Sequence, residues 1–150
     1  MSWVQDRIGR MLARYLEKPA TGYEPFTPSD PVALARTLRP GDVLLVEGNN
    51  HIAGAIKYLT QSTWSHAMFY IGDALGAPAP GEAPRVLIEA DMVHGIRAVP
   101  LSDVSGLNSR ICRPVGLSKD DLQKVIQFAV SHIGGHYDPV SYTHLTLPTT

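Results

Sequence analysis

Cysteine is almost absent from this chain of 150 residues, which contains one. A single thiol cannot build an internal disulfide framework, so nothing in the sequence requires an oxidising compartment. An excess of charge is lacking as well, because the formal net charge is −1. That balance gives no electrostatic attraction for nucleic acid, and no nucleic-acid partner is expected. The sequence also has no run of roughly 18 apolar residues, the length that a membrane-spanning helix needs.

What the sequence does contain is typical of one folded domain. Apolar residues make up 44% of the chain and charged residues 18%, proportions that favour a packed core over disorder. A length of 150 residues suits one such domain better than two. The N-terminus lacks the apolar core of a secretion signal, because Asp6, Arg7 and Arg10 interrupt it, so we expect a cytoplasmic protein.

Residues 1–38 form a segment of their own, with a predicted amphipathic helix over residues 2–18 and a proline-rich connector. The apolar side of this helix has helical spacing and contains Val4, Ile8, Met11, Leu12 and Tyr15. The opposite side contains Arg7, Arg10 and Arg14. Two interpretations stay open. The helix either makes peripheral contact with an anionic membrane surface or docks on its own domain with the arginines in water.

Residues 39–139 are the predicted core domain, in which a run of strands is flanked by helices. Short runs rich in apolar residues predict strands at 42–46, 66–71, 85–90, 95–99 and about 109–113. Helix starts are predicted at Asp30-Pro31, after Asn49-Asn50, and at Ser118. This order predicts an α+β fold with an antiparallel sheet.

The last predicted helix has the clearest pattern. Ser118 and Asp121 resemble a capping box, and Gly134-Gly135 ends the helix. A stripe at helical spacing is expected to be buried, and it contains Leu122, Val125, Ile126, Ala129 and Ile133.

Two strand residues are the candidates for chemistry. His66 opens the strand HAMFYI, and Glu89 interrupts the otherwise apolar strand VLIEA. A buried carboxylate needs a partner, and a histidine on the neighbouring strand can supply one. A bond between them would orient the imidazole as a general base. The alternatives are a structural histidine at a strand start and a glutamate that reaches solvent.

A nucleophile is harder to find in the sequence. Cys112 lies inside a strand with no helix behind it, which indicates a small core residue rather than an activated thiol. Ser65 precedes His66, so strand alternation points their side chains apart. A metal site built from Glu89, Asp91 and His94 with His66 matches no zinc signature, so neither a metal nor another cofactor is expected.

Several segments, taken in order, resemble the permuted papain-like amidases of the YiiX/YaeF type, a branch of the NlpC superfamily. The resemblance covers about residues 39–138. The matching segments are RPGDVLL at 39–45, WSH at 64–66, FYIG at 69–72, LIEA at 87–90, GI at 95–96, IG at 133–134 and YD at 137–138.

This resemblance implies a circularly permuted papain-like fold and a cysteine-dependent amide hydrolase that acts on small peptide-like or acyl substrates. It implies His66 as the general base and Glu89 as the residue that orients it. It places the nucleophilic cysteine at a helix start beyond Asp138. Two alternatives stay open: a lipid acyltransferase or thioesterase of the same superfamily, and a binding module without catalysis.

The last residues, 140–150, read VSYTHLTLPTT and continue no pattern of the preceding chain. This string resembles the translation of a sequencing-library adapter, so we expect a non-native tail in place of the segment with the cysteine. The chain of 150 residues is accordingly expected to lack hydrolase activity.

Sequencing the source locus past codon 138 tests this expectation. We predict an open reading frame that encodes, within a few tens of residues, a cysteine at the start of an amphipathic helix. A genuine stop codon after Thr150, or a continuation without cysteine, would contradict it.

Overall fold

A computed structural model describes residues 28–48, 51–91 and 94–136 of the chain. The predicted N-terminal helix, the Tyr137-Asp138 segment and the tail at 140–150 lie outside the described residues. Within them the chain forms a five-stranded antiparallel sheet with helices. The predicted α+β class is therefore confirmed.

The sheet has the strand order β4-β3-β2-β1-β5. The elements are α1 (Pro31–Thr37), β1 (Val43–Val46), α2 (His51–Thr60), β2 (His66–Tyr70), β3 (Arg85–Asp91), β4 (Gly95–Pro100), a 3₁₀ helix (Leu101–Val104), β5 (Ser109–Cys112) and α3 (Lys119–Ser131). The predicted elements of residues 30–136 are all present, with ends that differ by a few residues.

Local capping explains where two of the helices begin. The Asp30 side chain accepts a hydrogen bond from the Val32 backbone N–H at 3.0 Å, with proline at the first position of α1. The Ser118 hydroxyl accepts from the Asp121 backbone N–H at 3.1 Å, as the capping pattern predicts. These bonds satisfy N–H groups that have no partner inside the helix.

The hydrophobic core lies on one face of the sheet, beneath α1 and the 3₁₀ helix. Strand alternation directs every second side chain to this face. The buried members of the core are Leu34, Leu38, Leu44, Val46, Met68, Leu87, Val99 and Val104. His66 and Tyr70 have the same parity along β2 as Met68 and therefore share this face. His66 therefore lies on the core face of the sheet, two residues along β2 from the buried Met68.

The prediction that α3 presents a buried stripe is wrong. No residue of α3 is buried, and Val125 is 43% exposed. The helix lies on the face of the sheet opposite the core and meets it near Gly41, where an added Cβ would collide with Leu122. An open groove of about 370 Å³ lies between helix and sheet, lined by Val43, Phe69, Cys112 and Val125 among others. Amphipathic periodicity shows which side of a helix faces its neighbour but not how closely the two pack.

Asp42 joins the first strand to three other elements. Its carboxylate is 1% exposed and accepts hydrogen bonds from Arg113 Nε at 2.8 Å and Nη2 at 2.7 Å. It also accepts from the Arg39 backbone N–H at 2.8 Å. Arg113 donates further to the Thr37 carbonyl at the end of α1, and the Asp42 carbonyl accepts from the Tyr70 N–H of β2 at 2.8 Å. A buried carboxylate with this many donors has its charge compensated.

None of the helices in the described part of the chain combines the length and apolar content that crossing a lipid bilayer requires.

The Asp42 contacts predict an acid-sensitive contribution to stability. The hydrogen bonds from Arg113 outweigh burial and hold the pKa of Asp42 below its ordinary value of 3.8. Because the folded pKa is lowered, this contribution is present above the ordinary value and is lost as the pH falls through the folded pKa. Asp42→Asn should lower the free energy of unfolding by about 3 kcal/mol at neutral pH, as measured by urea denaturation.

The loss should shrink as the pH falls below 3.8 toward the lowered pKa of the folded state, because the unfolded chain then binds a proton that the folded chain does not. Asp103→Asn, at an exposed aspartate of the 3₁₀ helix, is the matched control and should change stability by less than about 0.5 kcal/mol. Equal effects of the two substitutions would show that the buried pair contributes nothing.

Candidate functional site

His66 and Glu89 lie on neighbouring strands, on the same face as the core. Strands β2 and β3 pair at Phe69–Ile88 and Tyr70–Leu87. Extending that register places Glu89 opposite Met68, so Glu89 is the diagonal neighbour of His66. His66 itself pairs with Val46 of β1, which is 2% exposed. The site is therefore held by three strands of the sheet.

The two side chains are joined directly. His66 Nε2 lies 2.8 Å from Glu89 Oε2. The second oxygen of Glu89 is bound by Arg97 of β4, with Nε at 2.8 Å and Nη2 at 2.7 Å from Oε1. Arg97 is the direct cross-strand partner of Glu89 in the β3–β4 register. Each oxygen of the carboxylate thus has its own partner.

These contacts keep Glu89 ionised although its side chain is only 7% exposed. Burial is the largest influence on the pKa of Glu89 and raises it. The hydrogen bond and charge of His66, with the charge and hydrogen bond of Arg97, together outweigh burial, so the pKa lies below its ordinary value of 4.5. Glu89 is consequently a carboxylate at neutral pH.

An ionised carboxylate only accepts hydrogen bonds, and this assigns the tautomer of neutral His66. Nε2 must carry the proton that is donated to Glu89 Oε2, which leaves the lone pair on Nδ1. Among the described residues, none makes a hydrogen bond with Nδ1. The His66 side chain is 33% exposed, so part of the ring is open to an approaching group. The arrangement has the chemistry of a general base held by an acidic partner.

Cys112 does not belong to this arrangement. It pairs with Val43, which pairs with Phe69, so it lies two strands from β2 and three positions along from His66. Strand spacings separate the two Cα atoms by about 14 Å. By parity the Cys112 side chain points to the opposite face, into the groove beside α3.

The other local candidates have structural roles. The Ser65 hydroxyl accepts a hydrogen bond from the Gly48 backbone N–H at 2.9 Å, away from the site. His94 closes the β3–β4 turn on Asp91, with its Nδ1 2.9 Å from Asp91 Oδ1. Among the described residues, no group of three or more histidine, cysteine, aspartate or glutamate side chains could hold a metal ion.

Arg97 is the site residue that the sequence reasoning missed. Its signal is a lone charged residue in the strand GIRAVP. A hairpin that closes between Asp91 and Gly95 necessarily places residue 97 opposite residue 89. Predicting this pair requires knowing which residues form the turn, because strand alternation gives the face of a side chain but not its partner on the next strand.

Comparisons of this chain with models of known protein families and with curated proteins find no match. The resemblance to the permuted papain-like amidases therefore stays a prediction carried by the motifs.

The chain after α3 reaches the edge of the sheet beside the site. Ile96 of β4 donates its N–H to the Gly135 carbonyl at 2.9 Å and accepts from the Gly134 N–H at 2.8 Å. An added Cβ at Gly95 would collide with the Gly135 carbonyl oxygen, and Gly95 has a φ of +73°. β4 lies two strands from β2, and residue 135 lies one spacing beyond β4, so residue 135 is about three strand spacings, roughly 14 Å, from β2.

The separation of Cys112 from His66 predicts that the two do not interact chemically. Alkylation of Cys112 by iodoacetamide at pH 7, followed by mass spectrometry, should proceed at the same rate in wild type and in His66→Ala. A free peptide thiol under the same conditions is the reference. A rate that falls severalfold on His66→Ala would contradict the assignment.

Proposed function

We propose that this domain is the base-bearing part of a cysteine-dependent amide hydrolase with a circularly permuted papain-like fold. His66 is the general base, Glu89 orients it, and a cysteine beyond Asp138 is the nucleophile. The bond between His66 Nε2 and Glu89 Oε2 carries the proposal, because it leaves the lone pair of the neutral ring on Nδ1, in a side chain that is 33% exposed. Burying a carboxylate is costly. A histidine with only a structural role at a strand start would need no such partner, so the pairing favours a role for the two residues together.

The path of the chain after α3 gives additional support. The backbone bonds between Ile96 and Gly134-Gly135 hold this segment at the β4 edge. From there a few residues suffice to pass around the edge to the face that contains His66, since an extended residue spans about 3.3 Å. The resemblance places the cysteine in the residues that follow.

In the proposed reaction, His66 Nδ1 removes the proton of the thiol, and the thiolate attacks the carbonyl carbon of an amide. The resulting imidazolium donates this proton to the leaving nitrogen, the C–N bond breaks, and a thioester remains. Water then loses a proton to Nδ1 and attacks the thioester, which releases the acid and restores the thiol. Glu89 stabilises the imidazolium in both halves of the reaction.

A protonated His66 ring can supply the acid that the leaving nitrogen of an amide requires. The leaving group of an amide departs only after its nitrogen is protonated. The alkoxide or thiolate that leaves an ester or thioester depends less on an acid. Glu89 lies 2.8 Å from Nε2 of His66 and stabilises the protonated ring that acts as this acid. We therefore propose small peptide-like amides as the substrate class.

The test uses the natural chain as encoded past codon 138, with Cys112→Ser so that Cys112 cannot contribute to the measured alkylation. Iodoacetamide should alkylate this thiol at pH 6 at least tenfold faster than a free peptide thiol, because an adjacent imidazolium favours the thiolate. His66→Ala should remove the enhancement, and Glu89→Gln should reduce it.

Hydrolysis of N-acetylalanyl para-nitroanilide should fall by about 10³-fold or more on His66→Ala. His132→Ala changes an exposed histidine at the end of α3 and should leave both rates unchanged. A thiol that reacts no faster than a free peptide thiol, with or without His66, would refute the proposal. The chain of 150 residues should show neither activity.

A further inference from the structure

The guanidinium of Arg97 occupies one oxygen of the buried carboxylate and leaves the other to the imidazole. Arg97 Nε and Nη2 both bind Glu89 Oε1, at 2.8 Å and 2.7 Å, and His66 Nε2 binds Oε2 at 2.8 Å. A carboxylate held by two donors of a planar fork on one oxygen cannot rotate freely about its last bond. The position of Oε2 is thereby fixed relative to β2.

We propose that Arg97 is the positioning residue of this site: it orients Glu89 so that His66 keeps its proton on Nε2 and its lone pair on Nδ1. This inference rests on the proposed function for its purpose, and its geometry stands without it. Arg97 touches neither a substrate nor the reacting nitrogen. It acts through Glu89.

The arrangement of charges agrees with this role. The Arg97 side chain is 42% exposed and that of Glu89 is 7% exposed, so the pair extends from solvent to the base of the site. In the described part of the chain, Asp91 and His94 of the β3–β4 turn are the further titratable groups on the adjoining strand ends, and His94 Nδ1 lies 2.9 Å from Asp91 Oδ1. Arg97 is thus the cation that holds Glu89 in place.

A simpler reading is a cross-strand ion pair that only joins β3 to β4. The two readings differ in their effect on His66. A purely structural pair, when broken, destabilises the hairpin without changing which nitrogen of His66 carries the proton. A positioning residue, when removed, changes the ratio of the two tautomers.

The experiment is ¹⁵N NMR of the histidine rings in the full chain, at an alkaline pH where the neutral tautomers are observed. In wild type the His66 signals should show a protonated Nε2 and a bare Nδ1. Arg97→Met keeps the length of the side chain and removes its charge and donors. It should lower the ratio of Nε2–H to Nδ1–H tautomer roughly threefold or more, because the carboxylate can then rotate and Oε2 no longer stays within bonding distance of Nε2.

Two further variants complete the test. Arg97→Lys keeps the positive charge but loses the paired Nε and Nη2 donors of the guanidinium. It should lower the tautomer ratio by less than Arg97→Met. Arg85→Met is the matched control, since Arg85 lies at the other end of β3 and its ion-pair partner among the described residues is the exposed Glu82, at 3.9 Å. It should leave the His66 signals unchanged.

An unchanged tautomer ratio in folded Arg97→Met would overturn the proposal and leave Arg97 as a cross-strand pair. If Arg97→Met does not fold, Arg97→Lys decides, and an unchanged ratio there overturns it equally. The readout requires no thiol and no substrate. It is therefore independent of whether the extended chain hydrolyses amides.

Discussion

The carboxylate of Asp42 lies where β1, β2, β5 and the end of α1 meet, and the geometry of the site depends on this junction. Its side chain binds Arg113, and its carbonyl accepts from the Tyr70 N–H. The second contact sets the β1–β2 register, in which Val46 pairs with His66. A slip of one residue would turn His66 to the opposite face of the sheet. The Asp42 side chain and carbonyl thus support, at one end of β1 and β2, the register that places the imidazole at the other end.

The second buried carboxylate, Glu89, has a different purpose from the first. Asp42 is surrounded by fixed donors and connects elements of the fold. Glu89 has one oxygen held by a permanent cation, Arg97, and the other held by His66, a group that can gain and lose a proton. One buried carboxylate therefore connects elements of the fold, and the other is the one for which we propose a role in orienting a base.

Local signals predicted much of this molecule, and the failures share one cause. Caps and periodicity predicted α1, α3 and the five strands, because these features act within a few residues. The stripe on α3 was wrongly expected to be buried. Periodicity gives the direction of an apolar face, but the distance to the sheet depends on side chains from distant segments, such as Leu122 against Gly41. Arg97 and Arg113 were missed because their partners are set by register.

The sequence by itself determined the α+β class, the strands that contain His66 and Glu89, and the expectation that a buried carboxylate needs a partner. Only the tertiary structure decided which atoms meet. It gave Glu89 two partners instead of one, placed Cys112 on the opposite face, and brought Gly135 to the β4 edge beside the site. The physical reason is that propensities and burial costs act locally along the chain. Strand order and register depend on contacts between residues far apart in sequence, such as Asp42 with Arg113.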